Sequence, residues 1–172
     1  MIIGNGDLAN ALKNKWCEHT PSFIFFASGV SNSLCCDEYE FDREKNLLLS
    51  QLRNKHIVYF STLSIEYKDS PYTRHKLKME ELIKQNFGKY TIIRIGNINW
   101  GKNPNTLLNF IRNKMKNNQH FEIQDVSRSI IEKQDLLRVI NNITFGENSL
   151  IHLEGKKMKV IDIVEIIKKE IN

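Results

Sequence analysis

Apolar residues along this chain fall into two alternating patterns, short unbroken runs and longer stretches with a period near 3.6. The runs Phe23 to Ala27, Ile57 to Phe60 and Tyr90 to Arg94 are β-branched or aromatic and read as buried strands, with Met1 to Ile3 as a stub of another. The periodic stretches place Leu8, Ala9, Leu12 and Trp16, then Phe41, Leu47, Leu48 and Leu52, then Leu77, Met79, Leu82 and Ile83 on the inner faces of helices. Pro21 restarts the chain before the second strand, and Ser70-Pro71 marks a helix start. Strands alternating with helices predict parallel pairing through right-handed crossovers, hence an α/β fold with a doubly wound sheet of about five strands. Later the pattern predicts a helix from Pro104 to Lys116, short strands at His120 to Ile123 and Ser129 to Ile131, and a helix from Gln134 to Ile143. A strand from Leu150 to Leu153 and a closing helix from Val160 to Ile171 follow. The chain reads as a single domain, a core over residues 1–103 with a small lobe over 104–172 packed on it.

With 172 residues and 41% hydrophobic content, a core needs no disulfide. Cys17, Cys35 and Cys36 neither pair evenly nor show zinc spacing, and the five histidines have no ligand spacing, so no metal is expected. No run approaches the ~18 apolar residues of a membrane span, and the amino terminus lacks a secretory pattern, so the expectation is a cytoplasmic protein with no membrane partner. The net charge of +5 would favour a phosphate-bearing partner, nucleotide or nucleic acid, but most of the basic residues lie on polar faces of the expected helices, and no nucleic-acid partner is expected.

The candidate chemistry centres on Thr62, Tyr72 and Lys76. Thr62 ends a strand, and Tyr72 and Lys76 are four apart on one helix, so they are neighbours on its face. An ammonium beside a phenol favours the phenolate and lowers its pKa. Such a trio suits general acid/base work on a carbonyl or hydroxyl, although a Tyr-x-x-x-Lys pair is also a common surface arrangement.

In this order, Phe60-Ser-Thr62, Ser70-Pro-Tyr72-x-x-x-Lys76 and Ile93-Arg-Ile-Gly-Asn97 resemble the extended short-chain dehydrogenase/reductases. Those proteins are nucleotide-sugar epimerases, dehydratases and reductases. Gly4-Asn-Gly6-Asp-Leu-Ala9 looks like their glycine-rich first turn, Phe23 to Gly29 like the strand packed beside the cofactor, and Asp125 to Leu136 like their late arginine segment. The resemblance spans nearly the whole chain and implies a Rossmann-like fold, NAD or NADP as cofactor, a nucleotide-sugar substrate and a place in polysaccharide biosynthesis. It further implies that Thr62 and Tyr72 bind the reacting sugar oxygen and that Tyr72 moves the proton. Lys76 would tune Tyr72 and hold the nicotinamide ribose. Gly4, Gly6, Ala9 and Ala27 would border the cofactor, while Asn97 and Arg128 would grip the sugar-nucleotide phosphates. Asn97 as a turn amide and Arg128 in a salt bridge with Asp125 or Asp135 stand as the alternatives.

The chain also departs from that pattern. An acid that would hold the adenosine ribose is due about twenty residues beyond the glycines. Apolar Phe23 to Phe25 stand there instead. The second and third strands of the resembled sheet are missing, which predicts the Met1 stub at a sheet edge that must be covered or paired, in a homo-oligomer for instance. Dinucleotide affinity is expected to be weak, about 0.1–1 mM. The alternative to an oxidoreductase or epimerase is a non-catalytic or non-redox descendant that binds a nucleotide sugar or a protein partner without a dinucleotide.

Overall fold

The computed structural model describes residues 1–16 and 22–171; Cys17, His19 and Pro21 lie outside the described residues. Strands β1 (Ile2–Ile3), β2 (Phe23–Phe26), β3 (His56–Thr62), β4 (Tyr90–Ile95) and, from the later half of the chain, β7 (Ser149–Leu153) form one parallel sheet in the order β1-β2-β3-β4-β7. As expected, the stub is at an edge. All seven residues of β3 are buried, the signature of a central parallel strand covered on both faces.

Helices cover both faces because alternate strand residues point to opposite sides. On one face Phe25, Val58, Phe60 and Ile93 meet Ala11 and Leu12 of α1 (Asp7–Trp16) and Leu136 and Ile140 of α5 (Lys133–Asn141). On the other, Ile24, Phe26, Ile57, Tyr59 and Ile92 meet Leu48 of α2 (Glu38–Leu49) and Met79 and Ile83 of α3 (Pro71–Asn86). Each such side chain contributes roughly 1.5–3 kcal/mol by burial. The steps β1 to β2 and β2 to β3 run the same way across the sheet, yet α1 and α2 lie on opposite faces. The two crossovers therefore have opposite hands, and uniform right-handedness, expected from the strand-helix alternation, does not hold.

A second sheet carries the lobe: β5 (Asn97–Ile98) pairs parallel with β6 (Ser127–Ile131), which pairs antiparallel with β8 (Lys156–Lys159). Over it pack α4 (Leu107–Lys116) and α6 (Val160–Ile171) through Leu108, Ile111, Ile163 and Ile167. Several local expectations are corrected here. His120 to Ile123 is not a strand, because its residues find no pairing partner and pack as coil. The helix expected from Pro104 begins at Leu107, with Thr106 as its cap. Leu52 and Leu77 are exposed, since Leu52 lies beyond α2 and Leu77 on the outer face of α3.

Candidate active site

The expected residues converge on a cleft of about 830 Å³ at the carboxyl edge of the sheet, where ligands bind in open α/β folds. Gly6, Ala27, Thr62, Tyr72, Lys76, Asn97 and Arg128 all line it, whereas Gly4 and Ala9 do not. Gly4 has φ +119°, and a side chain there would overlap the Ala27 carbonyl, so glycine lets the first turn press against β2.

Local sequence sets Tyr72 in place. Ser70 caps α3, its hydroxyl accepting from the Thr73 N–H at 3.2 Å while Thr73 Oγ1 accepts from the Ser70 N–H at 2.9 Å, and Pro71 takes the first helical position. Thr62 closes β3, and its Oγ1 accepts from the Ser64 N–H at 3.1 Å, starting a 3-10 turn over Leu63–Glu66. The Tyr72 phenol lines the same cleft as this hydroxyl.

Lys76 behaves differently from the expectation. It is nearly fully buried, and its ammonium donates to Glu44 Oε1 at 2.9 Å, Glu44 Oε2 at 3.3 Å and the Tyr59 hydroxyl at 3.1 Å. Glu44 is completely buried and also accepts from the Val30 N–H and the Tyr59 hydroxyl, both at 2.6 Å, with His75 Nε2 3.0 Å from its second oxygen. Burial alone would raise the Glu44 pKa; Lys76 and the hydrogen bonds from His75, Tyr59 and Val30 overcome it and hold the carboxyl far below its ordinary range. The Tyr72 pKa moves up, not down. Burial raises it, Lys76 and Thr62 pull the other way, and Glu44 adds to the rise, so the neutral phenol is the resting form. The sequence reading of a lowered Tyr72 pKa is thereby corrected, because burial of the phenol outweighs the pull of Lys76, and the Glu44 carboxylate adds to the rise.

Behind the cleft floor, Arg94 forks onto Glu80 (Nε to Oε1 3.0 Å, Nη2 to Oε2 2.8 Å), and Ser61 donates to the same carboxylate at 2.6 Å. Asn97 donates to the Ser129 carbonyl at 3.3 Å, a side-chain bond between β5 and β6 within the second sheet. The Arg128 guanidinium lies 5.4 Å from the Tyr67 ring centre and donates to Gln124 Oε1 at 3.1 Å. Among the described residues it is paired with neither Asp125 nor Asp135, and Asp135 instead caps α5 and faces Arg138. Glu44, Tyr59 and Asp7 were not foreseen. A signal for Glu44 existed: at i+3 from Phe41 and i−4 from Leu48 it occupies the apolar face of α2.

A dinucleotide fits these residues only in part. The Gly4-Gly6 turn opens α1 toward the cleft, and a helix amino terminus favours phosphate. However, the Asp7 carboxylate in that first turn accepts from the N–H groups of Lys102 at 3.0 Å and Asn103 at 2.9 Å, which puts negative charge at the phosphate position. No described strand lies outside β1 to wall an adenosine, and Lys76 is engaged inward. The residues present do not fit the whole cofactor.

No protein-family model matches the sequence, and no curated protein is detectably similar to it. Solved structures are. The Thermotoga maritima UDP-glucose 4-epimerase with UDP-glucose superposes at TM-score 0.68 and 15% identity, over 95% of this chain and 65% of that one. The Bacillus cereus UDP-glucuronic acid 4-epimerase with UDP-glucuronic acid and NAD gives 0.69 and 17%, over 96% and 62%. The Bordetella bronchiseptica enzyme WbmG with NAD and UDP gives 0.65 and 11%, over 96% and 60%. This chain thus spans about three fifths of the length of these relatives. It has the Rossmann-like fold of the extended short-chain dehydrogenase/reductases that act on nucleotide sugars, in a shortened form.

Proposed function

We propose that this chain acts on a nucleotide sugar, in the manner of the epimerases, dehydratases and reductases whose fold it shares. The observation that carries this reading is the convergence of Thr62, Tyr72, Asn97 and Arg128 on one cleft at the carboxyl edge of the sheet. Thr62 and Tyr72 hold one sugar oxygen between two hydroxyls, and the neutral phenol of Tyr72 donates to it as a general acid. Asn97 and Arg128 take the phosphates from the lobe side, where the guanidinium fork matches a diphosphate. Strand β3 and helix α3, within residues 1–103, then carry the reacting groups, while β6, α4 and the start of α6, within residues 104–172, border the substrate; α5 and β7 of that range belong to the main layer. The likeness to the capsular polysaccharide assembling protein CapF of Staphylococcus aureus, at TM-score 0.56 and 22% identity over 86% of this chain and 44% of that one, supports a setting in polysaccharide biosynthesis.

A full redox cycle would pass a hydride between the sugar and NAD or NADP, and the residues that would border the dinucleotide are Gly4, Gly6, Ala9, Ala27 and Lys76. A second reading, a non-redox or purely binding descendant, is favoured by one observation, the engagement of Lys76 by Glu44. Calorimetric titration with a panel of nucleotide sugars, beside a turnover assay with and without NAD or NADP, tests both. Binding of a nucleotide sugar that is lost in Arg128→Ala supports the proposal, and turnover that needs the dinucleotide selects the redox reading. Absence of nucleotide-sugar binding by the folded protein refutes it.

A further inference from the structure

The ammonium of Lys76 has three protons, and three acceptors surround it, two oxygens of Glu44 and one of Tyr59. Gly29 lies against this group so closely that a Cβ there would come within 2.6 Å of Lys76 Nζ and 2.7 Å of Glu44 Oε1. Val30 donates its N–H into the same carboxylate, so the rim of the cleft is fastened to the ion pair. Lys76 lines the cleft, yet its donors are spent on Glu44 and Tyr59.

We infer that Glu44 is a positioning residue that commits Lys76 to the interior, so that the cleft offers the Tyr72 hydroxyl to a nucleotide sugar and no free ammonium to a second, dinucleotide ligand. This rests on the proposed nucleotide-sugar site. The groups facing the pair are Glu44 from α2, Tyr59 from β3, and Tyr72 and His75 from α3, with Glu80 and Tyr67 further off. With Glu44 neutralised, the whole charge of Lys76 acts on Tyr72, whose ring centre is 5.8 Å from Nζ. The phenol then ionises more easily, and the ammonium gains a free donor toward the cleft.

The test is Glu44→Gln. Ultraviolet titration, each protein read against its own Tyr72→Phe counterpart, is expected to show Tyr72 ionising at least about one pH unit lower in the variant. Calorimetry is expected to show NAD or NADP binding about tenfold tighter than in the wild type, with nucleotide-sugar affinity within about threefold of it. A folded variant with neither change, or wild-type protein that binds dinucleotide as tightly as the variant, overturns the inference. Should Glu44→Gln not fold, the ammonium resonance of Lys76 in the wild-type protein decides by nuclear magnetic resonance. It is expected to be protected from exchange and unmoved by 1 mM NAD or NADP; a dinucleotide-induced shift overturns the inference. Loss of nucleotide-sugar binding throughout would refute the proposed function, while the Tyr72 titration would still report on Glu44.

Discussion

The region around β3, α3 and β4 and the region around β1 and α1 belong to one sheet but are built to different standards. In the first, every buried charge has a partner: Arg94 with Glu80, Lys76 with Glu44, and Ser61 and Tyr59 completing both carboxylates. In the second, a two-residue strand forms the sheet edge, the crossover leaving it has the opposite hand to the next one, and a carboxylate occupies the first turn of α1. The lesson is that a doubly wound sheet can shed one flank of its ligand site while the other flank stays fully satisfied. The catalytic-type residues belong to the satisfied flank.

That contrast predicts unequal costs. Glu80→Ala takes the bidentate partner from a mostly buried Arg94, leaving it only Glu66 Oε1 at 3.7 Å, and is expected to cost about 3 kcal/mol in urea unfolding, the lower end of the usual penalty for breaking a buried pair. A cost below about 1 kcal/mol would show that water reaches Arg94 and that the flank is softer than described. Tyr72→Phe is expected to lower any turnover on a nucleotide sugar by about a hundredfold with little change in binding. Unchanged turnover would remove Tyr72 from the chemistry and leave the trio structural.

An acid-sensitive group lies at the opposite, amino end of the same strands. His56 is fully buried, bonded to Thr91 Oγ1 at 2.9 Å and accepting the Gly146 N–H at 3.1 Å, and burial with the nearby Lys89 ammonium lowers its pKa to about 4. The unfolded chain takes up this proton first, so the contribution is whole above pH about 6.5 and is lost as pH falls toward 4. Between pH 7 and 4.5 the wild type is expected to lose about 2–3 kcal/mol more than His56→Asn. Equal losses would mean that His56 takes up its proton as readily in the folded state as in the unfolded chain. The smallest effect is reserved for the flank that has been pared away: Ile3→Ala, partly exposed at the edge, should cost about 1 kcal/mol or less.

Strand runs and helix periods were legible because each encodes burial on one or two faces, and Ser70-Pro71 spelled out a cap. The missing flank was legible too, from Phe23 to Phe25 where an acid was due and from the few residues before that strand. Two things could not be read in one dimension. The face chosen by α1 depends on where a connection of a few residues can reach, so the opposed crossover hands stayed hidden. The true surroundings of Lys76 depend on α2, thirty-two residues earlier, swinging Glu44 against α3. Sequence neighbours alone suggested that Lys76 would act on Tyr72 unopposed.

The cap at Ser70 has a consequence for insertions and deletions. A helix advances about 100° per residue, so one residue gained or lost between Ser70 and Tyr72 would turn the phenol roughly a quarter of the way round α3, out of the cleft. The same event between Tyr67 and Asp69 would fall in a turn outside the helix and leave the phase of α3 to the cap. Length changes a few residues apart would thus have opposite fates, one silencing the site within an intact fold and the other passing unnoticed.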